Sequence, residues 1–297
     1  MTTVAALDVG GTAMKGAVVR DDGTPVTYHR WPTPRSDGPD AVVAAALKAV
    51  DELVALSGDA AAAGLVVPGL VDDDAGVAIY SENIEWHDVA FRDLVHQRTG
   101  LPVGFGHDVR AGGLAERTLG AAGGVDDVLF MPIGTGIAGA MFVGGVLVRN
   151  RYAGEIGHID VGADVACACG ARGCLEAVAS GASIARQYHR AGGERLPGAR
   201  EVLQRRAAGD PIAARVWDEA VDALARALTT YISLLAPERI VVGGGLAGAG
   251  EALFAPLRHR LAELLVWQRE PAVVAAALED NAACLGAALL ARAALQS

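Results

Sequence analysis

The stretch VAALDVGGTAMKGAVVR, residues 4–20, decides the architecture. Apolar residues run up to Asp8, the Gly10–Gly11 pair breaks the run, and a second apolar run leads to Arg20. Two strands joined by a glycine turn explain this order, because glycine enters turn conformations that β-branched residues resist. The segment DDGTPV (21–26) then turns the chain into a third strand. The same order restarts in DDVLFMPIGTGIAGAMFVGGVLV, residues 126–148: strand, glycine turn, strand, Gly-Gly turn, strand. Two openings of one design in a 297-residue chain imply two related lobes.

Outward from these openings, strands alternate with helices. PDAVVAAALKAVDELVAL (39–56) has apolar residues at helical spacing, AAGLVVPGLVD (62–72) reads as a buried strand ending in a Pro-Gly turn, and FRDLVHQRTG (91–100) is a helix closed by Gly100. LPVGFGHD (101–108) is the strand after it. Region 175–235 is dominated by helical periodicity, most clearly in DEAVDALARALTTYISLLA (218–236). ERIVVGGG (238–245) and PAVVAAAL (271–278) are strands, EALFAPLRHRLAELLV (251–266) and NAACLGAALLARAAL (281–295) helices. The fold class is α/β.

A hydrophobic content of 52% with 20% charged residues describes a folded chain, and the net charge of −10 argues against a general nucleic-acid binder. The N-terminus has no basic region followed by an apolar core, and no apolar run reaches the ~18 residues of a membrane span. The expectation is a soluble, cytoplasmic protein with no membrane partner. In that reducing compartment, clustered cysteines point to metal binding rather than disulfides.

Three glycine loops follow strands: DVGGT (8–12), IGTGIAG (133–139) and VGGGLAG (242–248). Glycine lets backbone N–H groups approach phosphate closely, so three such loops favour a phosphate-handling site over three plain turns. In the first, Asp8 suits a metal-bound water, and Gly10, Gly11 and Thr12 suit a phosphate; Lys15 reads as a solvated strand residue. Two loops also fit G-x-G-x-x-G, which raises a dinucleotide-dependent oxidoreductase as a rival. In the first of them Gly134, Gly136 and Gly139 lead into a strand rather than the required helix. In the second, Gly243, Gly245 and Gly248 do lead into a helix, but the next strand ends at Glu279, well beyond the roughly 20-residue offset of a ribose-binding acid. There is no Walker loop.

Three of the four cysteines and a histidine share one short segment, GHIDVGADVACACGARGC (157–174). His158, Cys167, Cys169 and Cys174 give H-x8-C-x-C-x4-C, four N/S ligands punctuated by Gly170 and Gly173. That set matches a closed tetrahedral zinc site, structural rather than catalytic because no position is left for water. The remaining Cys284 lies on an apolar helix and reads as core packing.

Taken in order, DVGGTAMK, VVPGLVD, ENIEW, HDVRAGGLAE, IGTGIAGA, GEIGHIDV with CACGARGCLE, and VVGGGLAG resemble the ROK family of sugar kinases over essentially the whole chain. The resemblance implies an actin-like, ribonuclease H-like ATPase fold: two lobes about an interdomain cleft, with a structural zinc loop. The N-terminal lobe would be 1–117 plus 281–297, and the C-terminal lobe 118–280. It also implies ATP with Mg as donor, a hexose acceptor, and a homodimer. The family's repressors carry an additional N-terminal DNA-binding module, and the first phosphate loop here begins at Asp8, so the enzyme is the expectation.

Within that picture Asp108 corresponds to the catalytic base that takes the sugar hydroxyl's proton; on its own it would read as a helix cap. Asp8, Gly10, Gly11, Thr12, Gly134, Thr135, Gly136, Gly244 and Gly245 fall on nucleotide-binding positions. Gly69, Asn83, His107, Asp108, Glu155, His158 and Glu176 fall on sugar-binding ones. Read alone, Glu155 is surface charge and Glu176 a helix-start acid. His158 has two ring nitrogens, one for zinc and one for the sugar. His107 and Arg110 stand where many members carry Asn, which leaves the hexose open. Glucose leads, with fructose, mannose or N-acetylmannosamine as alternatives, a sugar-responsive regulator without turnover as another, and the oxidoreductase last.

Overall fold

The computed structural model describes residues 2–296. It divides into two units: Met1–Gly120 with Arg149–Ala153 and Asp280–Ser297, and Ala121–Val148 with Gly154–Glu279.

The first unit begins with the meander predicted from residues 4–26: β1 (Thr3–Val9), β2 (Ala13–Arg20) and β3 (Pro25–Pro32). Helix α1 (Pro39–Ser57) leads to β4 (Ala60–Val67), a small antiparallel sheet of β5 (Leu70–Asp72), β6 (Val77–Tyr80) and β7 (His87–Val89), then α2 (Phe91–Thr99), β8 (Val103–His107) and α3 (Asp108–Leu119). The main sheet runs β3-β2-β1-β4-β8, antiparallel within the meander and parallel from β1 through β4 to β8. Burial follows position. Strand β1 is buried from Val4 to Val9, as a strand covered on both faces must be, whereas edge strand β3 alternates half-buried and exposed residues. Pro68 and Gly69 make the turn after β4, with Gly69 at φ +100°, where only glycine is comfortable.

The second unit repeats the plan. Strands β9 (Val128–Pro132), β10 (Ala140–Val143) and β11 (Val146–Leu147) form its meander. Helices α4 (Leu175–Ala179), α5 (Gly181–Arg190), α6 (Ala199–Ala207) and α7 (Pro211–Leu235) follow, then β12 (Arg239–Gly243), the short α8 (Gly244–Ala247), α9 (Glu251–Leu264) and β13 (Ala272–Ala275). Its sheet order, β11-β10-β9-β12-β13, is the first unit's order again, with the same antiparallel and parallel halves. Helix α7 is capped at its start by Asp210, whose carboxylate accepts from Ile212 N and Ala213 N, with Pro211 in the first position.

The last helix, α10 (Ala282–Ala294), belongs to the first unit and packs on α3, β1, β4 and β8. The approach is close: a β-carbon at Gly64 of β4 would overlap the carbonyl of Ala287, and one at Gly286 that of Ala111 in α3. Cys284 is fully buried on this helix, the core role expected of it. Segment Arg149–Ala153 was expected within 118–280 but packs with the first unit, because Arg151 pairs with Asp72 (2.6 Å) and Arg149 with Asp74 (3.7 Å). Among the described residues no helix is long and apolar enough to cross a membrane.

Candidate functional site

In the first unit the glycine turn between β1 and β2 is closed by Gly10 N donating to Ala13 O at 3.1 Å. The exit of β3 holds it from the side: Thr33 Oγ1 donates to Gly10 O (2.6 Å) and Thr33 N to Thr12 O (3.2 Å). A polar pocket of about 430 Å³ opens here, lined by Gly11, Thr12, Thr33, Arg35, Asn83 and Glu85 among others. The structure thus brings the first glycine loop and Asn83 to one place.

Asp8, at the end of β1, is 8% exposed. Burial raises its carboxyl, and the neighbouring Asp108 carboxylate raises it further, to about 7; Lys15 works against both. Asp108 is the first residue of α3, so the Asp8–Asp108 pair joins the end of one central strand to the start of one helix. Lys15 is not a solvated strand residue. Its ammonium donates to Asp280 O (2.9 Å) and pairs with Asp280 Oδ2 (3.3 Å).

The cap of α3 is His107 rather than Asp108: its Nδ1 lies 3.1 Å from Val109 N. Val109 N also reaches Asp108 Oδ1 at 2.7 Å, and His107 Nδ1 is 3.2 Å from that same oxygen. His107 Nδ1 accepts the Val109 N–H as the cap, and the same N–H is shared with Asp108 Oδ1, which ties that carboxylate to the first turn of α3. Gly69 serves its turn, because a β-carbon there would overlap the carbonyl of Tyr80.

In the second unit a largely apolar pocket of about 620 Å³ collects the other two glycine loops, with Gly134, Thr135 and Gly245 on its wall beside Pro197, Leu203 and Trp217. Its floor is tied together by Gly181 N to Gly134 O (2.9 Å) and Leu246 N to Ile133 O (3.1 Å). Gly244 (φ +73°) is packed against the Ile133 backbone and does not line the pocket. Glu176, in the first turn of α4, accepts from Ile137 N at 2.8 Å, and a β-carbon at Gly136 would come 2.7 Å from its Oε2. This acid is more than a helix-start charge, since it buttresses the 134–137 loop. The residues of this pocket from 197 to 203, and Trp217, carried no motif. They reach the pocket by placement alone.

The four expected metal ligands come together. The ligand atoms of His158, Cys167, Cys169 and Cys174 all lie within 4.8 Å of one another. Cys169 Sγ and Cys174 Sγ are 3.7 Å apart, the edge expected of a tetrahedron with Zn–S bonds near 2.3 Å. His158 faces the cluster with Nδ1, 3.8 Å from Cys167 Sγ, and turns Nε2 toward Glu155 Oε2 at 3.9 Å. Burial pushes the Cys174 thiol up to about 12, with its neighbouring sulfurs adding to the rise. Ionised thiolates at this spacing need a cation, and a divalent metal with borderline-soft preference fits the donor set. Glu155 is 59% exposed beside it.

Comparison with known proteins agrees with this arrangement. The profile of the ROK family matches residues 4–294. The chain is 34% identical to a glucokinase of Thermotoga maritima over 95% of this chain and 95% of that protein. It is also 34% identical to an N-acetylmannosamine kinase of Citrobacter koseri over 98% and 99%. Its fold superposes on the structure of a ROK family glucokinase from Streptomyces griseus in complex with glucose and AMPPNP, with a TM-score of 0.83, 30% identity, and coverage of 98% and 99%. The dinucleotide rival falls, because the relatives matched end to end are sugar kinases and the 134–139 loop feeds an antiparallel strand, β10, where a Rossmann unit needs a helix. With one profile spanning both units and relatives matched end to end, the chain belongs to the ROK family.

Proposed function

We propose that this chain transfers the γ-phosphoryl group of ATP to a hexose, with glucose the first candidate and its 6-hydroxyl the acceptor. The observation that carries this reading is the pairing of a buried Asp8 at the end of β1 with Asp108 at the head of α3, beside the first glycine loop. A buried carboxyl facing the field of a second acid stays neutral unless a cation offsets the charge. Phosphoryl transfer from a magnesium nucleotide to an alcohol brings such a cation.

In this reading Asp108 takes the proton of the sugar hydroxyl, steadied by His107. Asp8 would help hold magnesium, which would neutralise charge on the phosphates when bound. Gly10, Gly11 and Thr12 grip phosphate from the first unit, and Gly134, Thr135, Gly136, Gly244 and Gly245 serve the nucleotide from the second. The apolar pocket at Trp217 takes the base. Gly69, Asn83, His107, Glu155, His158 and Glu176 recognise sugar hydroxyls, for which carboxylates and an amide supply directional hydrogen bonds. Glu176 keeps one oxygen for this task, the other being engaged by Ile137 N. His158, Cys167, Cys169 and Cys174 would hold a zinc ion, which would brace the segment that carries Glu155.

A second reading keeps the chemistry and changes the sugar. One relative at 34% identity is a kinase of an N-acetylated sugar, and His107 alters the shape of the site at a position often Asn. ADP release measured across glucose, mannose, fructose and aminosugars decides between them. The highest kcat/KM with glucose supports the first reading, and an aminosugar in that place supports the second. Sugar binding without ADP release would overturn both in favour of a regulator.

A further inference from the structure

Arg110 is placed where an arginine costs most. It is the third residue of α3, in the first turn, where the helix dipole disfavours a cation, and it is 5% exposed. Its Nε is buried with no hydrogen-bond partner. A buried guanidinium near a helix N-terminus is a local conflict, and such conflicts gather at functional positions.

The compensation comes from one acid. Arg110 Nη2 donates to Asp73 Oδ1 at 3.0 Å, and the two side chains are 6% and 16% exposed. Asp73 is itself fixed. It lies in the turn after β5, where Asp72 Oδ1 accepts from Ala75 N (3.0 Å) and Asp72 O from Gly76 N (2.9 Å). From α2, Arg92 donates to the carbonyls of Asp73 and Asp74. Arg151 holds Asp72 from the other side (2.6 Å). Asp73 also overlies the end of β8, where a β-carbon on Gly106 would come 3.5 Å from its Oδ1. The next residues are His107 and Asp108.

We infer that the Arg110–Asp73 pair is a positioning device that fixes the first turn of α3, and with it the carboxylate of Asp108. The turn at 72–74 is the anchor, Arg110 the strut, and Asp108 the group held. The inference rests on Asp108 being the base of the proposed kinase. Arg110 touches neither sugar nor nucleotide in this account and acts through α3.

The test is a double-mutant cycle on turnover. Arg110→Met, Asp73→Asn and the double variant are assayed for kcat and for KM of both substrates, with thermal unfolding measured alongside. Each single change is expected to lower kcat by about 10–50-fold, within the range general-base alignment commands. The KM for ATP should stay within about twofold, because the nucleotide pocket of the second unit is untouched. The double variant should be no slower than the worse single one, as two ends of one strut predict. Arg110→Lys, which keeps the charge, should recover most of the rate. It also carries the test with Asp73→Asn if Arg110→Met does not fold. Unchanged kcat in folded variants, additive losses, or a loss of rate that simply tracks unfolding would overturn the inference. Asp108→Asn, run beside them, separates the two layers. An inert Asp108→Asn with fully active Arg110 and Asp73 variants refutes the strut alone, while an active Asp108→Asn refutes the base assignment and the strut with it.

Discussion

Asp8 holds a proton at pH values where an exposed aspartate has lost it, and stability should register this. Its carboxyl rises from 3.8 to about 7, first through burial and then through Asp108. Between those values the folded state binds the proton and the unfolded chain does not. Stability therefore falls as pH climbs from about 4 to 7 and levels off above, with a ceiling of about 4 kcal/mol for this one group. Asp8→Asn removes the cost of the ionised form. Its melting temperature should exceed that of the parent at pH 8 by several degrees, with the gap closing by pH 4, while turnover collapses. A variant no more stable at pH 8 than at pH 4, relative to the parent, would show that Asp8 is not strained. Asp108→Asn tests the partner acid. Size and most hydrogen bonding are kept, so sugar affinity should hold while turnover falls about 10²–10⁴-fold, the range for a general base. Near-normal turnover in a folded Asp108→Asn protein would end its assignment. Both acids could be picked out from sequence, yet their electrostatic coupling could not. Nothing in residue spacing says that the end of β1 and the start of α3 share one site, nor that Lys15 is drawn off to Asp280.

At the scale of elements, the Cys/His loop was the most legible part, because a candidate ligand set within one short segment encodes its own geometry. The four ligand atoms converge although no long-range packing had to be foreseen. Glycine-turned strands were legible for a similar reason: the turn and both flanking runs are contiguous in sequence, as β1–β2 and β9–β10 show. The apolar pocket of the second unit was not, since Pro197, Leu203 and Trp217 reach the glycine loops only through the packing of α6 and α7. Arg149 and Arg151 were missed likewise, because their acids at 72–74 are remote in sequence. The loop's role is open to a direct measurement. Cys169→Ser should lower bound zinc from about one per chain, a hydroxyl being a far poorer ligand than a thiolate at neutral pH. Sugar affinity and activity should fall together through Glu155 and His158, and excess magnesium nucleotide should restore neither. A zinc-free protein with full activity and unchanged sugar affinity would leave the cluster without this function.

On the scale of the molecule, both units are built on one sheet order, a meander continued by two parallel strands, and each needs a helix against the parallel half. In the first unit that helix is α10, which arrives from the far end of the chain to sit on α3, β1, β4 and β8. Its fit is through backbone rather than side chains: glycines at 64, 104 and 286 remove the carbons that would otherwise hold the surfaces apart. The contact between Gly286 and Ala111 matters most for function, because Ala111 is three residues beyond Asp108 on the same helix. Gly286→Ala must push α10 and α3 apart, since backbone cannot swing aside as a flexible side chain can. The expected loss is about 1–3 kcal/mol, the usual cost of overpacking, and a melting temperature lower by several degrees. If α10 only lent stability, turnover well below the melting point would be unaffected. Because it also sets the seat of α3, kcat should drop while the KM for ATP stays near its parent value, as the base pocket proposed for the second unit is untouched. Deleting 280–297 carries the same reasoning to its limit. It uncovers β4, β8 and α3, takes Asp280 from Lys15, and should abolish protease resistance in the first unit while the second, whose core lacks any α10 residue, keeps its own. Equal protease resistance of both units after the deletion, or a Gly286→Ala protein with parental kcat and melting temperature, would show that the sheet and α3 hold their places without the last helix.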